Sequence, residues 1–480
     1  MNGDLRRSLK YLEFRQVVRR YRPSDLIPAL AQHSAAAAMV QANRRDQEGV
    51  RRDTPWAVSG IARESVLYGN DHRNGDVGPA TVRELIRSFN ETFDELTDLS
   101  LAAMITPIVY EQFTYGESEF EELARIQALF EDATLGPELD WSEIFGIPLC
   151  DAVRAVFVLN AWVQFNGGRY DSALLDEEQM QGVFARIAPR EHIESLAREL
   201  VTSIPAAKST NASVPALSPE LQRYAFNPLT ARPLVDLGGE RGVWAPQVML
   251  VNRAVFPANL YYRGMAKWGN RFAETLGTRA EKYVGRQLGL VAKQDELHGE
   301  IEYREGKNKK KSVDWIWVTS QAVILFECKS ARLTLGARAG DGSLAALVER
   351  YVIHARQQLD RTARLIRART PPFDRFPIDR PIVGMAVTTE PFYLGNSALE
   401  EYGKRSDIPS MVVSLRDLEY WVCLPASQAV AMFLGILDDP ERRTWALHTA
   451  LRPLQGLGKN PILDAAWRRL DFGSQFGAAG

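Results

Sequence analysis

The chain has 480 residues, of which 45% are hydrophobic and 25% are charged, and its formal net charge is −2 at pH 7. This length predicts two or three domains, and the composition is typical of a globular protein. The three cysteines and six histidines form no CxxC, HExxH or His-x-His pattern, which excludes a disulfide scaffold and argues against a zinc site. Any metal ion would therefore need oxygen ligands, as Mg²⁺ or Mn²⁺ does.

No apolar run in the sequence is long enough to cross a bilayer, and the first residues, MNGDLRRSLKYLEFRQ, lack the apolar centre of a signal peptide. A low cysteine content is typical of a reducing compartment. We therefore expect a cytoplasmic protein that has no membrane partner.

Residues 1–205 are predicted to form a mainly helical region whose role the pattern does not define. Apolar residues recur at three- and four-residue spacing in Asp4–Arg22, Thr81–Leu96 and Pro189–Ser203, which is typical of amphipathic helices. The polar stretch 45–78 is predicted to be a loop. This helical region is the candidate surface for a partner protein or for a second copy of the chain.

Residues 206–264 are predicted to connect this region to the next. Their first part, 206–219, is rich in Ser, Thr, Asn, Ala and Pro and indicates a loop at a domain boundary. Residues 265–425 are predicted to form an α/β domain, a mixed β-sheet flanked by helices, and residues 426–480 a helical C-terminal extension. Within the α/β domain, helices are expected at Arg271–Leu290 and Ser343–Arg369, and strands at Val313–Thr319, Ala322–Glu327, Pro381–Thr389 and Ser410–Leu415.

A continuous apolar run, Val323–Phe326, is typical of a strand that is buried on both faces. Three residues that do not belong in a core follow at once: Glu327, Cys328 and Lys329. Because side chains alternate along a strand, Glu327 and Lys329 are expected on one face. Cys328 is expected on the other face, where it can pack as a small hydrophobic residue.

A second apolar strand begins at Asp314, thirteen residues before Glu327. The turn Thr319–Gln321 is short enough to join the two strands in a hairpin, which would bring Asp314 and Glu327 across from each other. Two carboxylates and a backbone carbonyl can bind a divalent ion that polarises a phosphodiester, and a lysine beside the ion can orient the attacking water. The alternative is a surface salt bridge between Glu327 and Lys329.

An acid in the preceding helix is a further candidate. Glu281 is flanked by Gly277 and Gly285, four residues away on either side, so the three residues lie on one helical stripe. Glycine costs about 1 kcal/mol in a helix interior. Two glycines beside a single acid therefore predict a close backbone approach or a kink; the alternative is that Glu281 simply faces solvent.

These residues resemble the core of the PD-(D/E)XK (restriction-endonuclease-like) nuclease superfamily, in which a helix carries an acid and a hairpin carries Asp followed by Glu-x-Lys. Glu281 matches the helical acid, Asp314 the aspartate, and Glu327–Lys329 the signature. The resemblance covers residues 271–420, about a third of the chain. It is nearest to the restriction-type and nuclease-related-domain branches. Val313 stands where the family name has proline.

The resemblance implies hydrolysis of DNA phosphodiester bonds with Mg²⁺ or Mn²⁺. In that pattern Asp314 and Glu327 bind the metal together with the main-chain carbonyl of Cys328. Lys329 positions the water, and Glu281 assists the metal or its water. The superfamily is common in prokaryotic restriction and anti-phage defence, so a role of that kind is expected by resemblance.

Basic and polar residues near this core are candidates for contacts with nucleic acid, because arginine and lysine bind backbone phosphates. A solvated hairpin tip and a solvated helix face are the alternatives. The candidates are Lys309, Lys310, Lys311, Arg350, Gln357, Arg361 and Arg364.

Two other functions stay open at this point. The catalytic groups do not distinguish DNA from RNA, so the chain could be an RNA-directed nuclease. It could also be a non-catalytic module that binds nucleic acid or protein on a nuclease scaffold. An intact set of two acids and a lysine argues against the second alternative, since a scaffold has no use for a desolvated charge cluster.

Overall fold

The computed structural model describes residues 9–43, 54–92, 101–176, 186–330, 332–393, 395–397, 406–451 and 458–472. Most of these residues are helical. The α-helices are Tyr11–Val18, Pro23–Asn43, Pro55–Tyr68, Pro79–Asn90, Leu101–Gln112, Glu119–Phe130, Ser142–Phe145, Leu149–Phe165, Arg190–Leu200, Ile204–Ala212, Met249–Arg253, Pro257–Trp268, Asn270–Leu288, Leu335–Arg338, Ser343–Val348, His354–Arg367, Leu415–Trp421, Ala426–Asp438, Leu447–Ala450 and Pro461–Arg469, with a π-helical turn at Glu349–Ile353.

Within the described part of the chain, the strands form three sheets. In chain order the strands are β1 (Arg169–Tyr170), β2 (Val201–Ser203), β3 (Leu234–Asp236), β4 (Val243–Trp244), β5 (Leu297–Gly299), β6 (Glu302–Glu305), β7 (Asn308–Lys311), β8 (Trp315–Val318), β9 (Val323–Lys329), β10 (Ile382–Thr388) and β11 (Ser410–Ser414). The chain is therefore a mixed α/β protein, as the sequence predicts.

The described residues among the first 205 are mainly helical, but the loop predicted at 45–78 is wrong for residues 55–68. The helix Pro55–Tyr68 lies inside it. Every residue from Ala57 to Leu67 is buried, polar residues included, so this helix has no exposed face and shows no amphipathic period. Parts of the predicted helices Asp4–Arg22 and Thr81–Leu96 lie outside the described residues.

The boundary at 206–219 also differs from the prediction. The helix Ile204–Ala212 occupies its first half, and Ala207 is its one buried residue, so no apolar stripe marks it in the sequence. A small four-stranded sheet, in the order β1-β4-β3-β2, has two strands before this boundary and two strands after it. Its strands have two or three residues each, which is too short for an alternating pattern to show.

The largest sheet has the order β11-β10-β9-β8-β5. Strands β5 and β9 both run antiparallel to β8, which lies between them, whereas β9, β10 and β11 run parallel to one another. The chain therefore forms an antiparallel meander and then crosses over through a helix to continue the sheet in parallel. The strand β5 is absent from the prediction because its three residues, Leu297–Gly299, are not an apolar run.

Helices cover both faces of this sheet. Ile324 and Phe326 of β9 belong to the core that also holds the helix Asn270–Leu288. Val323 and Leu325 pack on the other face against Leu359 and its neighbours in the helix His354–Arg367. The strand is thus buried on both faces, as its apolar run predicts.

The main core does not follow the predicted segment boundaries. It joins buried residues from Ala35 to Leu470, including members of the segments 1–205, 206–264, 265–425 and 426–480. The predicted segments therefore share one core, and their bounds stay a prediction. Among the described helices, none combines the length and apolar character that crossing a membrane requires.

Candidate active site

The hairpin of β8 and β9 has the predicted register. Val318 pairs with Val323 at the turn and Trp315 with Phe326 at the open end, so Asp314 and Glu327 stand at the next opposed positions. In an antiparallel ladder, opposed residues project from the same face. The prediction that the hairpin brings these two acids together is confirmed.

Glu327 and Lys329 project from one face of β9, also as predicted. The Lys329 Nζ lies 2.5 Å from Glu327 Oε1 and donates to the Gln358 Oε1 at 2.7 Å. Glu327 is 2% exposed. The pair is therefore not a surface salt bridge, because the carboxylate is buried and the amino group is held between two acceptors.

Cys328 contributes through its side chain and through its main chain. Its side chain packs against the main core, which confirms the prediction that it behaves as a small hydrophobic residue. Its main-chain N–H donates to Asp314 Oδ2 at 2.6 Å. Because the N–H and C=O of one strand residue point to the same side, the Cys328 carbonyl also faces the side of Asp314, beyond the end of the β8 ladder.

A third acid, Glu300, joins the site, and the sequence pattern does not indicate it. Strand β5 pairs Gly299 with Trp315, so Glu300 and Asp314 occupy the next opposed positions. Glu300 raises the pKa of Asp314 and of Glu327. It also accepts from the Lys311 Nζ at 2.7 Å. Its place depends on the pairing of a strand that has no apolar run to identify it.

Gln358 is the other residue that sequence reasoning missed. It lies in the helix His354–Arg367 between Ala355 and Leu359, which are both buried on the sheet. Thr362, one turn further, accepts from the Val313 N–H at 3.2 Å. The sequence does contain a signal for Gln358, because a polar residue within the apolar stripe of a helix indicates that the helix faces polar groups at that point.

The helical acid Glu281 lies beside the hairpin. Its main-chain carbonyl accepts from the Trp315 indole Nε1 at 2.9 Å. Burial raises the pKa of Glu281, and the charge of Asp314 raises it further. Glu281 therefore belongs to the same electrostatic cluster as Asp314, and it is not a freely solvated side chain.

One of the two glycines beside Glu281 is explained by close contact. A Cβ at Gly285 would lie 2.1 Å from Trp315 Cζ2, so the indole occupies the space of a side chain. A Cβ at Gly277 would lie 3.6 Å from the Ser330 Oγ, which is ordinary contact. The predicted close approach is thus confirmed at Gly285 and is wrong at Gly277.

We expect opposite effects from adding one methyl group at these two positions. Gly285→Ala should lower the free energy of unfolding by about 1–3 kcal/mol, because the ring of Trp315 must move. Gly277→Ala should leave it unchanged or raise it by up to ~1 kcal/mol through helix propensity. Thermal unfolding of both variants measures this. Equal destabilisation by the two would contradict the packing of Trp315 on the helix.

The site brings together acidic groups whose ionised forms are unfavourable without a cation. Burial raises the pKa of Glu327 to about 8, and Asp314 raises it while Lys329 lowers it. Burial raises the pKa of Asp314 as well, against the Cys328 N–H and Lys329, which lower it. The Glu327 Oε2 is buried and has no hydrogen-bond partner among the described residues. These are conditions that a bound cation relieves.

The atoms that could hold a metal ion at this site are oxygens. Within the described residues, no three His, Cys, Asp or Glu side chains come together closely enough to bind a metal ion. Asp314, Glu327 and the Cys328 carbonyl would supply three oxygen ligands. Mg²⁺ commonly takes one or two carboxylates and keeps several waters, so this set fits Mg²⁺ or Mn²⁺.

The candidate nucleic-acid residues separate into three groups. Lys311 and Arg361 lie together, since the Arg361 Nη2 donates to the Lys311 carbonyl at 3.0 Å, and Lys311 also reaches Glu300. Arg350, Gln357 and Arg364 are exposed and seven residues apart, along one solvent-facing stripe.

Lys309 and Lys310 lie on β7, in the hairpin opposite Arg304 and Tyr303. The segment Glu302–Lys311 is therefore a two-stranded hairpin. Its Tyr303 packs on the same core as Leu359, so the hairpin stands next to the helix that carries Gln358.

Comparison of the chain with protein-family models, with curated proteins and with solved structures found no match. The interpretation of the site therefore depends on its own geometry.

Proposed function

We propose that this chain is a metal-dependent nuclease of the PD-(D/E)XK type that hydrolyses phosphodiester bonds of DNA. The observation that supports it most is the juxtaposition of Asp314 and Glu327 at the end of one hairpin, with the Lys329 Nζ 2.5 Å from Glu327 Oε1. The helix–meander–helix–strand order is the one the resemblance implies. By the same resemblance, we propose a role in prokaryotic restriction or anti-phage defence.

Each residue has a distinct part in this proposal. Asp314, Glu327 and the Cys328 carbonyl would hold the Mg²⁺ or Mn²⁺, which polarises the phosphodiester and stabilises its developing negative charge. Lys329 orients the attacking water, and its contacts with Glu327 and Gln358 fix the amino group for that task. Glu281, which interacts electrostatically with Asp314, assists at the metal or its water.

An incubation of the purified chain with plasmid, linear DNA and RNA, with Mg²⁺ or with EDTA, tests this function. We expect Mg²⁺-dependent loss of DNA. Lys329→Ala should lower the rate by about 10²–10⁴-fold, because it removes the group that positions water. Lys293→Ala is the matched control, since Lys293 is 79% exposed and lies outside the site.

The same assay separates the alternatives. Cleavage of RNA with DNA left intact would favour an RNA-directed nuclease with the same site. Binding of nucleic acid without any Mg²⁺-dependent cleavage, or equal cleavage by the wild type and Lys329→Ala, would reject the proposed active site and favour a non-catalytic module.

A further inference from the structure

A cavity of about 440 Å³ lies between the N-terminal helices and the end of strand β10. Its walls include the helix Pro55–Tyr68, the start of the helix Pro257–Trp268 and the segment Thr389–Pro391, which follows β10 directly. Asp314, Glu327 and Lys329 are not among the residues that line it. Its volume is in the range of pockets that bind small molecules and cofactors.

The lining of this cavity is rich in positive charge. Eight arginines and four glutamates are among its described lining residues. Six of the arginines have a carboxylate oxygen within 4 Å. Arg253 and Arg263 instead donate to main-chain carbonyls, those of Thr114 and Ala231. Arg332 shares Glu390 with Arg338, so a single carboxylate faces two guanidinium groups.

Arg332 has unused hydrogen-bonding capacity inside this cavity. It is 6% exposed, and its Nη1 has no partner among the described residues. The Arg338 Nε and the Thr389 Oγ1 are also buried and have no hydrogen-bond partner among the described residues, and the same holds for the acceptor Glu390 Oε2. A buried charged donor without an acceptor is costly. An anion with several oxygens would satisfy these donors together, because a guanidinium binds such groups with a planar fork.

Two other features of the lining suit an anion that is attached to a planar base. Pro257, Ala258 and Asn259 are the first residues of a twelve-residue helix that has no side-chain cap, and the positive end of its dipole faces the cavity. Aromatic rings, including Trp56 and Phe226, form part of the same wall. Rings of this kind can pack on a planar base.

We propose that this cavity binds a nucleotide-type phosphate ester, with the phosphate on Arg332 and the helix start, and the base among the aromatic rings. The ligand is either a free nucleotide or the phosphorylated end of a nucleic-acid strand. The Thr389 N–H donates to the Lys329 carbonyl at 3.2 Å, so the occupied cavity would contact the segment bonded to the candidate catalytic strand. The binding itself does not rest on the proposed nuclease activity.

Calorimetric titration of the full chain in EDTA tests the proposal without any cleavage. The probes are AMP, ATP, adenosine, inorganic phosphate, and a short oligothymidylate with or without a 5′-phosphate. We expect saturable binding of a phosphorylated probe and none of adenosine. Arg332→Met should weaken that binding by about 10-fold or more, because a charged hydrogen bond is lost. Arg83→Met, at an exposed position in the helix Pro79–Asn90, should not change it.

The outcomes distinguish the two sources of phosphate. Tight binding of AMP or ATP supports a free nucleotide, and binding of the 5′-phosphorylated oligonucleotide alone supports a strand end. Arg263→Met serves as a second variant if Arg332→Met does not fold. Binding retained by Asp314→Asn separates this cavity from the candidate active site. Absence of binding by all phosphorylated probes, or equal binding by wild type and both arginine variants, would overturn the proposal.

Discussion

Asp314→Asn is expected to abolish Mg²⁺-dependent cleavage, with a fall of at least about 10³-fold, while the metal-free protein becomes more stable. The loss follows because the amide is a poor ligand for a divalent ion at a site with only two carboxylates from the hairpin. The gain follows because burial raises the pKa of Asp314, so its ionised form is unfavourable in the metal-free site, and its charge also raises the pKa of Glu281 and Glu327; a neutral amide avoids both effects. The amide oxygen can still accept from the Cys328 N–H.

This variant is informative because its cleavage activity should fall while the stability of the metal-free protein rises. If Asp314 had a purely structural role, removing its charge would destabilise the protein. If it is a metal ligand whose charge is unfavourable without the metal, removing the charge stabilises the metal-free protein. Cleavage assays and thermal unfolding in EDTA measure the two effects. Asp374→Asn is the matched control, since Asp374 is exposed and precedes β10 at the opposite end of that strand. Cleavage by Asp314→Asn at the wild-type rate would contradict the assignment.

The centre of this site was predictable because a few local rules determine it. The apolar run Val323–Phe326, the short turn after Val318 and strand alternation fix the relation of Asp314, Glu327 and Lys329. Each rule acts within about fifteen residues of sequence.

The remaining parts of the site depend on tertiary structure. Glu300 reaches Asp314 only through the pairing of β5, and Gln358 reaches Lys329 only because its helix crosses the sheet at that point. The cavity near Arg332 draws on residues as far apart as Trp56 and Arg416, so no spacing in the sequence indicates it. The helix Pro55–Tyr68 was missed for a related reason, since it is buried on every side.

The second large effect that we expect is a loss of stability as the pH rises, caused by the Glu327 carboxyl. Burial holds the pKa of Glu327 at about 8 in the folded protein, against an ordinary value of 4.5. The folded protein therefore binds this proton more tightly than the unfolded chain. The free energy of unfolding of the metal-free protein should fall as the pH rises from about 4.5 through about 8, by on the order of 5 kcal/mol from this group.

Glu327→Gln isolates that contribution. The amide does not titrate, so the variant should lose much less stability than the wild type between pH 5 and pH 8.5. Glu302→Gln, at an exposed position on β6, should keep the wild-type dependence. Thermal unfolding in EDTA at a series of pH values measures the slopes. Parallel slopes for wild type and Glu327→Gln would show that this carboxyl does not carry a raised pKa.

The raised pKa of Glu327 should also make the binding of Mg²⁺ depend on pH. The ion binds the ionised carboxylate, so below about pH 8 its binding must displace the Glu327 proton, and its apparent affinity should rise by up to about tenfold per pH unit. The stabilisation given by a fixed Mg²⁺ concentration should therefore be larger at pH 8 than at pH 6. In Glu327→Gln both the stabilisation and its dependence on pH should be much smaller. Stabilisation by Mg²⁺ that is independent of pH in the wild type would mean that the ion binds elsewhere.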